Sequence, residues 1–268
     1  HNNITQNEIS HFKYDFANGS KNHPDKYVFD VSNPNFQIVS AKETNAYPGT
    51  ELHRTMVMVK DEGLEKPFII DVFKINSDKK NQYDLPFYYF GQIISTNFKY
   101  ETPKTLSTLG DNFGYQHIWK EGSGIANQES IQFTWLNNRR FYTITASTNK
   151  NDEIILARIG ANDPEFNLRK DPSIIIRKKD TKNTVYASII ESHGTYNPIK
   201  EVAENAYSNF LNVEVLSDDA NYTATKIHYK NGKEKMLILS NIDSDKKKEH
   251  SITINGKNFS WKGFYYYK

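Results

Sequence analysis

The sequence predicts an all-β protein, a β-sandwich of stacked antiparallel sheets with at most one or two short helices. Runs of alternating apolar and polar residues flank Asn-containing turns, as in hairpins. The chain also contains 17 Tyr, 16 Phe and 3 Trp residues, which favour half-buried pleated surfaces and can also form platforms for sugar rings. Its 268 residues are enough to bury a large core.

The first half of the chain contains two predicted strand pairs. Tyr27–Val31 and Phe36–Val39 flank an Asn-Pro turn, and Arg54–Val59 and Phe68–Ile75 are joined by a polar loop. Asp71 interrupts the last of these runs. Because a carboxylate in a strand must be paired or face water, and no partner is evident, we expect Asp71 on the outer, solvent-facing side.

The clearest hairpin signal covers residues 131–146. Ile131, Phe133 and Trp135 alternate with polar residues, and Asn137-Asn138 is the predicted turn before the chain returns. Two further hairpins are predicted at Asn-Gly pairs near the end of the chain.

These later pairs are Asn231-Gly232 and Asn255-Gly256. Both residue types tolerate the positive φ that the two central positions of a type I′ turn require. The last third of the chain is therefore expected to form a consecutive antiparallel meander.

One segment has the apolar spacing of a helix. Ile199, Val202, Ala206 and Phe210 share one helical face, and Asn197 precedes them as a potential N-cap. This pattern predicts a single short helix or helical turn.

Composition excludes several classes of function. The net charge is +2, and the dense basic run Lys246–Lys248 is flanked by acidic residues, which indicates a solvated hairpin tip and not a nucleic-acid surface. The absence of cysteine excludes disulfides and thiolate metal sites. No apolar run approaches the roughly 20 residues of a membrane helix. Because the sequence opens His1-Asn2-Asn3 without Met or a signal peptide, we expect a piece of a longer protein.

The histidines are candidate sites of chemistry. None of the eight forms the i, i+4 pair of a helical zinc site, and none adjoins a nucleophile motif. His53 could serve a site or a strand end, while His117 and His193 could line a polysaccharide cleft or lie in the core or a loop. The structural role is the simpler interpretation for each. No carboxylate pair can be assigned to glycoside hydrolysis among the 32 acidic residues.

Three separated segments carry a family resemblance. Gln82–Gln92, Gly114–Trp119 and Ile155–Arg169 resemble, in this order, the C-terminal domain of the alginate lyases of polysaccharide lyase family 17, which are relatives of the heparinase II/III lyases. The resemblance covers nearly the whole chain. It implies that residues 1–268 are the C-terminal β-sandwich of a larger lyase whose N-terminal helical toroid is absent here.

The resemblance implies cleavage of alginate, a uronic-acid polymer, by β-elimination. A base removes the C5 proton while the glycosidic oxygen at C4 leaves; Asn and His side chains neutralise the carboxylate, and a Tyr acts as base or acid. These groups would all precede His1, so no catalytic residue is assigned in this chain. The isolated chain is expected to be inactive although the whole enzyme requires it.

The resemblance also implies a set of binding residues. Tyr88, Tyr89 and His117 are expected to form part of one cleft wall and to bind alginate or another uronic-acid oligosaccharide. His1-Asn2 resembles the end of the family's Ala-His-Asn-Thr motif, although Asn3 stands where Thr is usual. His1 would therefore be a ligand of a structural zinc ion, together with a His and an Asp upstream of this chain.

Two alternatives and two further expectations accompany this assignment. The chain could instead belong to a heparinase-II/III-type lyase acting on another uronate polymer, or it could be a non-catalytic carbohydrate-binding or structural module. The family resemblance implies a bacterial periplasmic or cell-surface location. Leu156–Arg169 is expected to leave a strand and form an ordered turn, with Asn162 or Asp163 bonded to nearby backbone amides.

Overall fold

A computed structural model describes residues 2–160 and 171–268. The strands are β1 (Thr5–Gln6), β2 (Asp25–Asn33), β3 (Phe36–Tyr47), β4 (Thr50–Val59), β5 (Phe68–Tyr88), β6 (Gln92–Thr96), β7 (Ser107–Thr108), β8 (Ile118–Ile125), β9 (Ser130–Asn137), β10 (Arg140–Ser147), β11 (Glu153–Ile159), β12 (Asp171–Asn197), β13 (Val202–Glu204), β14 (Phe210–Asp218), β15 (Tyr222–Tyr229), β16 (Glu234–Ser240), β17 (Glu249–Ile254), β18 (Lys257–Lys262) and β19 (Tyr265–Tyr267). The helical elements are α1 (Phe16–Gly19) and two 3₁₀ turns, His11–Tyr14 and Tyr115–His117. The predicted all-β class is confirmed.

The two long strands β5 and β12 belong to two layers. The first layer has the order β2-β3-β4-β5-β12-β10-β9-β6, and the second layer has the order β1-β5-β12-β11-β8-β7. The register between β5 and β12 shifts between Lys178 and Asn183, and such irregularities bend strands. Each long strand therefore contributes one half to each layer.

The main core lies between these two layers. Phe73 and Ile75 from the first half of β5 share one buried cluster with Leu85 and Phe87 from its second half. The same cluster also contains buried residues of β9 and β10 in the first layer, of β11 in the second layer, and of β12, which belongs to both. Burial of this many large side chains is the principal source of stability for the sandwich.

A second core joins the opposite side of the first layer to a four-stranded sheet. That sheet has the order β14-β15-β16-β19, and its Phe210, Ile227 and Leu237 are fully buried against residues of β3, β4, β5 and β12. The hairpin β17-β18 packs on the sheet's other side through a smaller cluster around Ile254. The protein is thus a stack of sheets, as predicted.

The predicted hairpins are present, with two corrections of detail. Asn255-Gly256 has positive φ at both residues and forms the expected two-residue turn. In the β9-β10 hairpin the turn residues are Asn138 and Arg139, one position later than predicted. At Asn231-Gly232 only the glycine has positive φ. There, Asn231 Oδ1 accepts a hydrogen bond from the backbone two residues on, which stabilises a longer loop.

The prediction of a helix at residues 199–210 is wrong. Asn197 Oδ1 accepts hydrogen bonds from the backbone of residues 199 and 200 to form a turn, and β13 then pairs with β12. Ile199 is 90% exposed, so the apolar face of a helix here would have had little to pack against.

The expectation for Asp71 is also wrong. Its side chain is 1% exposed and accepts two hydrogen bonds from Arg54, at 2.9 Å and 2.6 Å. Arg54 is the cross-strand neighbour of Phe73, which lies two residues beyond Asp71 on the same face of β5. The residue pattern within β5 does not reveal this diagonal pairing with a residue of another strand.

None of the helices in residues 2–160 and 171–268 is long and apolar enough to cross a membrane.

Candidate functional site

A pocket of about 950 Å³ lies on the outer face of the second layer. Asp84, Pro86 and Tyr88 form part of its floor, because alternate residues of β5 point away from the core that holds Leu85 and Phe87. Residues from the segments 3–20 and 113–118 form its walls. We refer to this feature as the second-layer pocket.

The pocket brings together two of the three predicted binding residues, Tyr88 and His117. The backbone N–H of Tyr88 donates to Asn2 Oδ1 at 2.8 Å, and burial raises the pKa of the Tyr88 phenol. The adjacent Tyr89 points the opposite way and packs against Phe133 and Trp135. Burial, followed by the charge of Glu121, raises the pKa of Tyr89 to about 12.

His117 is positioned by a short 3₁₀ turn. Gly114 precedes that turn with φ +94°, a conformation that glycine adopts without penalty, and its N–H donates to Gln116 Oε1. The His117 carbonyl accepts a hydrogen bond from Gly160 N at 2.8 Å. His117 Nδ1 is buried without a hydrogen-bond partner among the described residues. A group of this kind is a candidate for a bound polar ligand or water.

A charged network underlies the pocket. Tyr115 Oη donates to Asp84 Oδ2 at 2.6 Å and contacts the Thr5 hydroxyl. Arg177 binds Asp84 through two bonds of 2.8 Å and Glu8 at 2.9 Å. Burial raises the pKa of the Asp84 carboxyl, whereas the donors from Arg177 and Tyr115 favour its ionised form. The network ties the chain's first strand and the His117 turn to the sheet.

Burial and Asp84 together raise the pKa of the Tyr115 phenol well above its ordinary value. Tyr115 therefore remains protonated at neutral pH and acts as a donor to Asp84. It is suited to hold the turn in place and not to abstract a proton.

Exposed aromatic residues surround the pocket. Tyr14, Phe16 and Phe113 are 50%, 80% and 37% exposed, and all three contribute to its lining. His11 lies beside them, with Nε2 2.8 Å from the Ile4 carbonyl oxygen and its ring edge-on to Tyr47. None of these residues was predicted from the sequence. The close spacing of aromatic residues between His11 and Phe16 was the available signal.

His53 and His193 have structural roles. His53 is buried with Nε2 2.8 Å from the Ser40 hydroxyl, and His193 lies between Thr143 Oγ1 and the Asn205 carbonyl, both at 2.8 Å. The simpler interpretation of these two residues agrees with the structure.

The metal and turn predictions fall largely outside the described residues. His1 is not described, and residues 2–160 and 171–268 contain no group of three or more His, Cys, Asp or Glu that could hold a metal ion. Leu156–Ile159 belongs to β11. Asn162, Asp163 and the rest of the predicted turn up to Arg169 lie outside the described residues.

Comparison with known proteins connects this geometry to a family. The family model for the exo-oligoalginate lyase-like C-terminal domain matches residues 229–266. The chain is 34% identical over 268 residues to an exo-oligoalginate lyase of Saccharophagus degradans and 31% identical over 264 residues to an alginate lyase of Stenotrophomonas maltophilia. Each alignment covers 98% of this chain. The chain fits the C-terminal domain of this lyase superfamily.

Solved structures agree with the fold of this lyase-type domain. A heparinase III structure superposes with a TM-score of 0.56 over 90% of the chain and 30% of its own length, at 12% identity. At that identity the match supports the fold alone. The chain spans about a third of the curated relatives it matches, namely 36% and 35% of their lengths.

Proposed function

We propose that this chain is the C-terminal β-domain of a polysaccharide lyase that cleaves alginate or oligoalginate by β-elimination, and that the second-layer pocket forms one wall of its cleft. The observation that carries the proposal is the convergence of Tyr88, His117 and exposed aromatic rings in one pocket. The relatives named as alginate lyases supply the reaction class.

The pocket is suited to holding sugar, whereas the reaction chemistry requires other groups. Aromatic faces pack against the C–H surface of a pyranose, and imidazole and phenol groups bond hydroxyls and a carboxylate. Tyr88 and Tyr115 both have raised pKa values, so neither is a ready base at neutral pH. The base and the carboxylate-neutralising groups are assigned to the remainder of a longer protein, and the second-layer pocket fixes the register of the substrate.

Two further parts of the proposal concern zinc and location. His1 would be one ligand of a structural zinc ion, with a second His and an Asp contributed from outside this chain. Loss of zinc from the complete protein on His1→Ala, measured by elemental analysis, tests this assignment. We also propose a periplasmic or cell-surface location, which fractionation of the source cells would test.

Substitutions in the complete protein test the role of the pocket. Tyr88→Phe and His117→Ala should lower kcat/KM for alginate tenfold or more, measured by the ultraviolet absorbance of the unsaturated product. Tyr207→Phe and His23→Ala are matched controls, because these residues are exposed and do not line the pocket. Unchanged kcat/KM in both pocket variants would remove the second-layer pocket from the cleft.

The isolated 268 residues provide the complementary test. They should not depolymerise alginate, because the groups that perform elimination are assigned elsewhere. Appreciable turnover by the isolated chain would show that the groups that perform elimination lie within these 268 residues, contrary to the proposal. Turnover of heparan sulfate but not alginate by the complete protein would favour the heparinase-type alternative, and binding without turnover would favour a non-catalytic module.

A further inference from the structure

An apolar patch covers part of the first layer. It consists of outward-facing residues of β2 to β5, namely Phe29, Val31, Val39, Met56, Met58 and Ile69. Phe29 and Val31 are 61% and 50% exposed, and Val39 and Met58 are 44% and 43% exposed. Contiguous exposed apolar surface of this kind marks an interaction site more often than scattered single residues do.

The patch is the continuation of a face that is core elsewhere. Phe29 pairs with Val39, and Val39 pairs with Met56, so these side chains form one row across three strands. In the next row Ile69 pairs with Ile190 of β12, which packs against the main core. The second layer therefore covers one part of this sheet face and leaves the part over β2 to β4 bare.

The beginning of the described chain lies at the border of the patch. Arg54 Nη1 donates to the Asn2 carbonyl oxygen at 2.5 Å, while the same guanidinium binds Asp71. Asp71 is the cross-strand neighbour of Met56. Polypeptide joined before Asn2 would therefore emerge beside the bare part of the sheet.

We propose that the apolar patch is the docking surface for the part of the same polypeptide that precedes this domain in the complete protein. The matched relatives are almost three times as long as this chain, which covers 36% and 35% of them. The family model describes a C-terminal domain. The inference rests on the proposed function only in taking the chain as the C-terminal part of a longer protein.

The expected docking element presents apolar side chains to β2, β3 and β4. Burial of apolar area stabilises association, and the patch carries no charged side chain to desolvate. The Arg54–Asp71 ion pair lies at one edge of the apolar patch. The same contact would place the preceding domain next to the second-layer pocket, because Asn2 also accepts a hydrogen bond from Tyr88 N.

Cysteine labelling of the complete protein tests whether the patch is covered. Met58→Cys should react with a maleimide at least tenfold more slowly in the native than in the denatured protein. Leu211→Cys, at a residue that is 57% exposed on β14, is the matched control. Its reaction with the maleimide should be no more than about threefold slower in the native than in the denatured protein. Native labelling of Met58→Cys within threefold of its denatured rate would overturn the proposal.

Photo-cross-linking identifies what covers the patch. A benzophenone amino acid placed at Phe29 should cross-link to residues that precede His1 in the same chain, located by mass spectrometry. Cross-links only between copies, or protection of Met58→Cys that disappears on dilution, would indicate a second copy and overturn the proposal. Neither measurement uses alginate, so a protein without lyase activity could still satisfy both, and that result would refute only the proposed function.

Discussion

Replacement of Arg177 by methionine should destabilise the protein strongly. The Arg177 side chain is 9% exposed and binds Asp84, itself 2% exposed, through two hydrogen bonds of 2.8 Å. Methionine retains much of the apolar stem and removes the charge. The substitution therefore leaves a buried carboxylate whose remaining donor is Tyr115.

The size of the loss follows from that unpaired charge. Breaking a buried ion pair by removing one partner costs about 3–5 kcal/mol, and the remaining Tyr115 bond favours the lower end of this range. Lys179→Met is the matched control, because Lys179 is 56% exposed where it pairs with Glu153. Its loss should be below about 1 kcal/mol.

Urea denaturation followed by tryptophan fluorescence measures the difference. With a slope of about 3 kcal/mol per M urea, the Arg177→Met midpoint should fall by about 1 M. Adding Asp84→Leu should recover part of that loss, because it removes the stranded carboxylate. Equal midpoints for Arg177→Met and Lys179→Met would refute the reasoning, and so would a double variant less stable than the single one.

Two other predictions concern pH and backbone conformation. Burial, with Lys42 and Lys74, lowers the pKa of His53 to about 3, so the unfolded chain binds a proton below about pH 6.5 that the folded protein excludes. The free energy of unfolding should therefore fall as pH drops from 6.5 towards 3. His53→Gln should reduce the slope of the free energy of unfolding against pH by up to about 1.4 kcal/mol per pH unit. Equal slopes of the urea midpoint between pH 4 and 7 in the original protein and the variant would contradict this. Gly194→Ala would place its Cβ 2.2 Å from the Asn205 carbonyl, whereas at Gly232 the Cβ meets no described atom within 4 Å. Thermal unfolding should show that Gly194→Ala lowers the free energy of unfolding by at least about 3 kcal/mol and Gly232→Ala by about 1 kcal/mol. Similar losses for the two variants would contradict this, because they would mean that the backbone at Gly194 shifts to make room for the Cβ.

The sequence predicted the fold where local rules determine it. The Asn255-Gly256 turn needs two residues that tolerate positive φ, and both have it. The helix expected at residues 199–210 failed because periodicity does not show whether an apolar face has anything to cover. Asp71 was misplaced for a related reason: its partner Arg54 lies on another strand, and a cross-strand register is not visible in one segment.

The site was predicted only in part, for reasons of strand geometry. Tyr88 and Tyr89 are neighbours in one family motif, yet a strand points successive side chains to opposite faces. Sequence could assign both to a cleft but could not decide which side of β5 faces outward. His11 lies in a polar stretch of the sequence that marks no site, whereas the structure places it in the pocket wall.

The bend in β5 connects the apolar patch to the second-layer pocket. Because the strand passes from the first layer to the second, Ile69 in one half contributes to the apolar patch and Tyr88 in the other half contributes to the second-layer pocket. Asn2 contacts both regions, through Arg54 and through Tyr88 N. A domain docked on the patch would thus be held in register with the pocket by one continuous strand. A substitution such as Met58→Lys, at a residue that does not line the second-layer pocket, should therefore raise the KM for alginate of the complete protein as well as weaken domain docking.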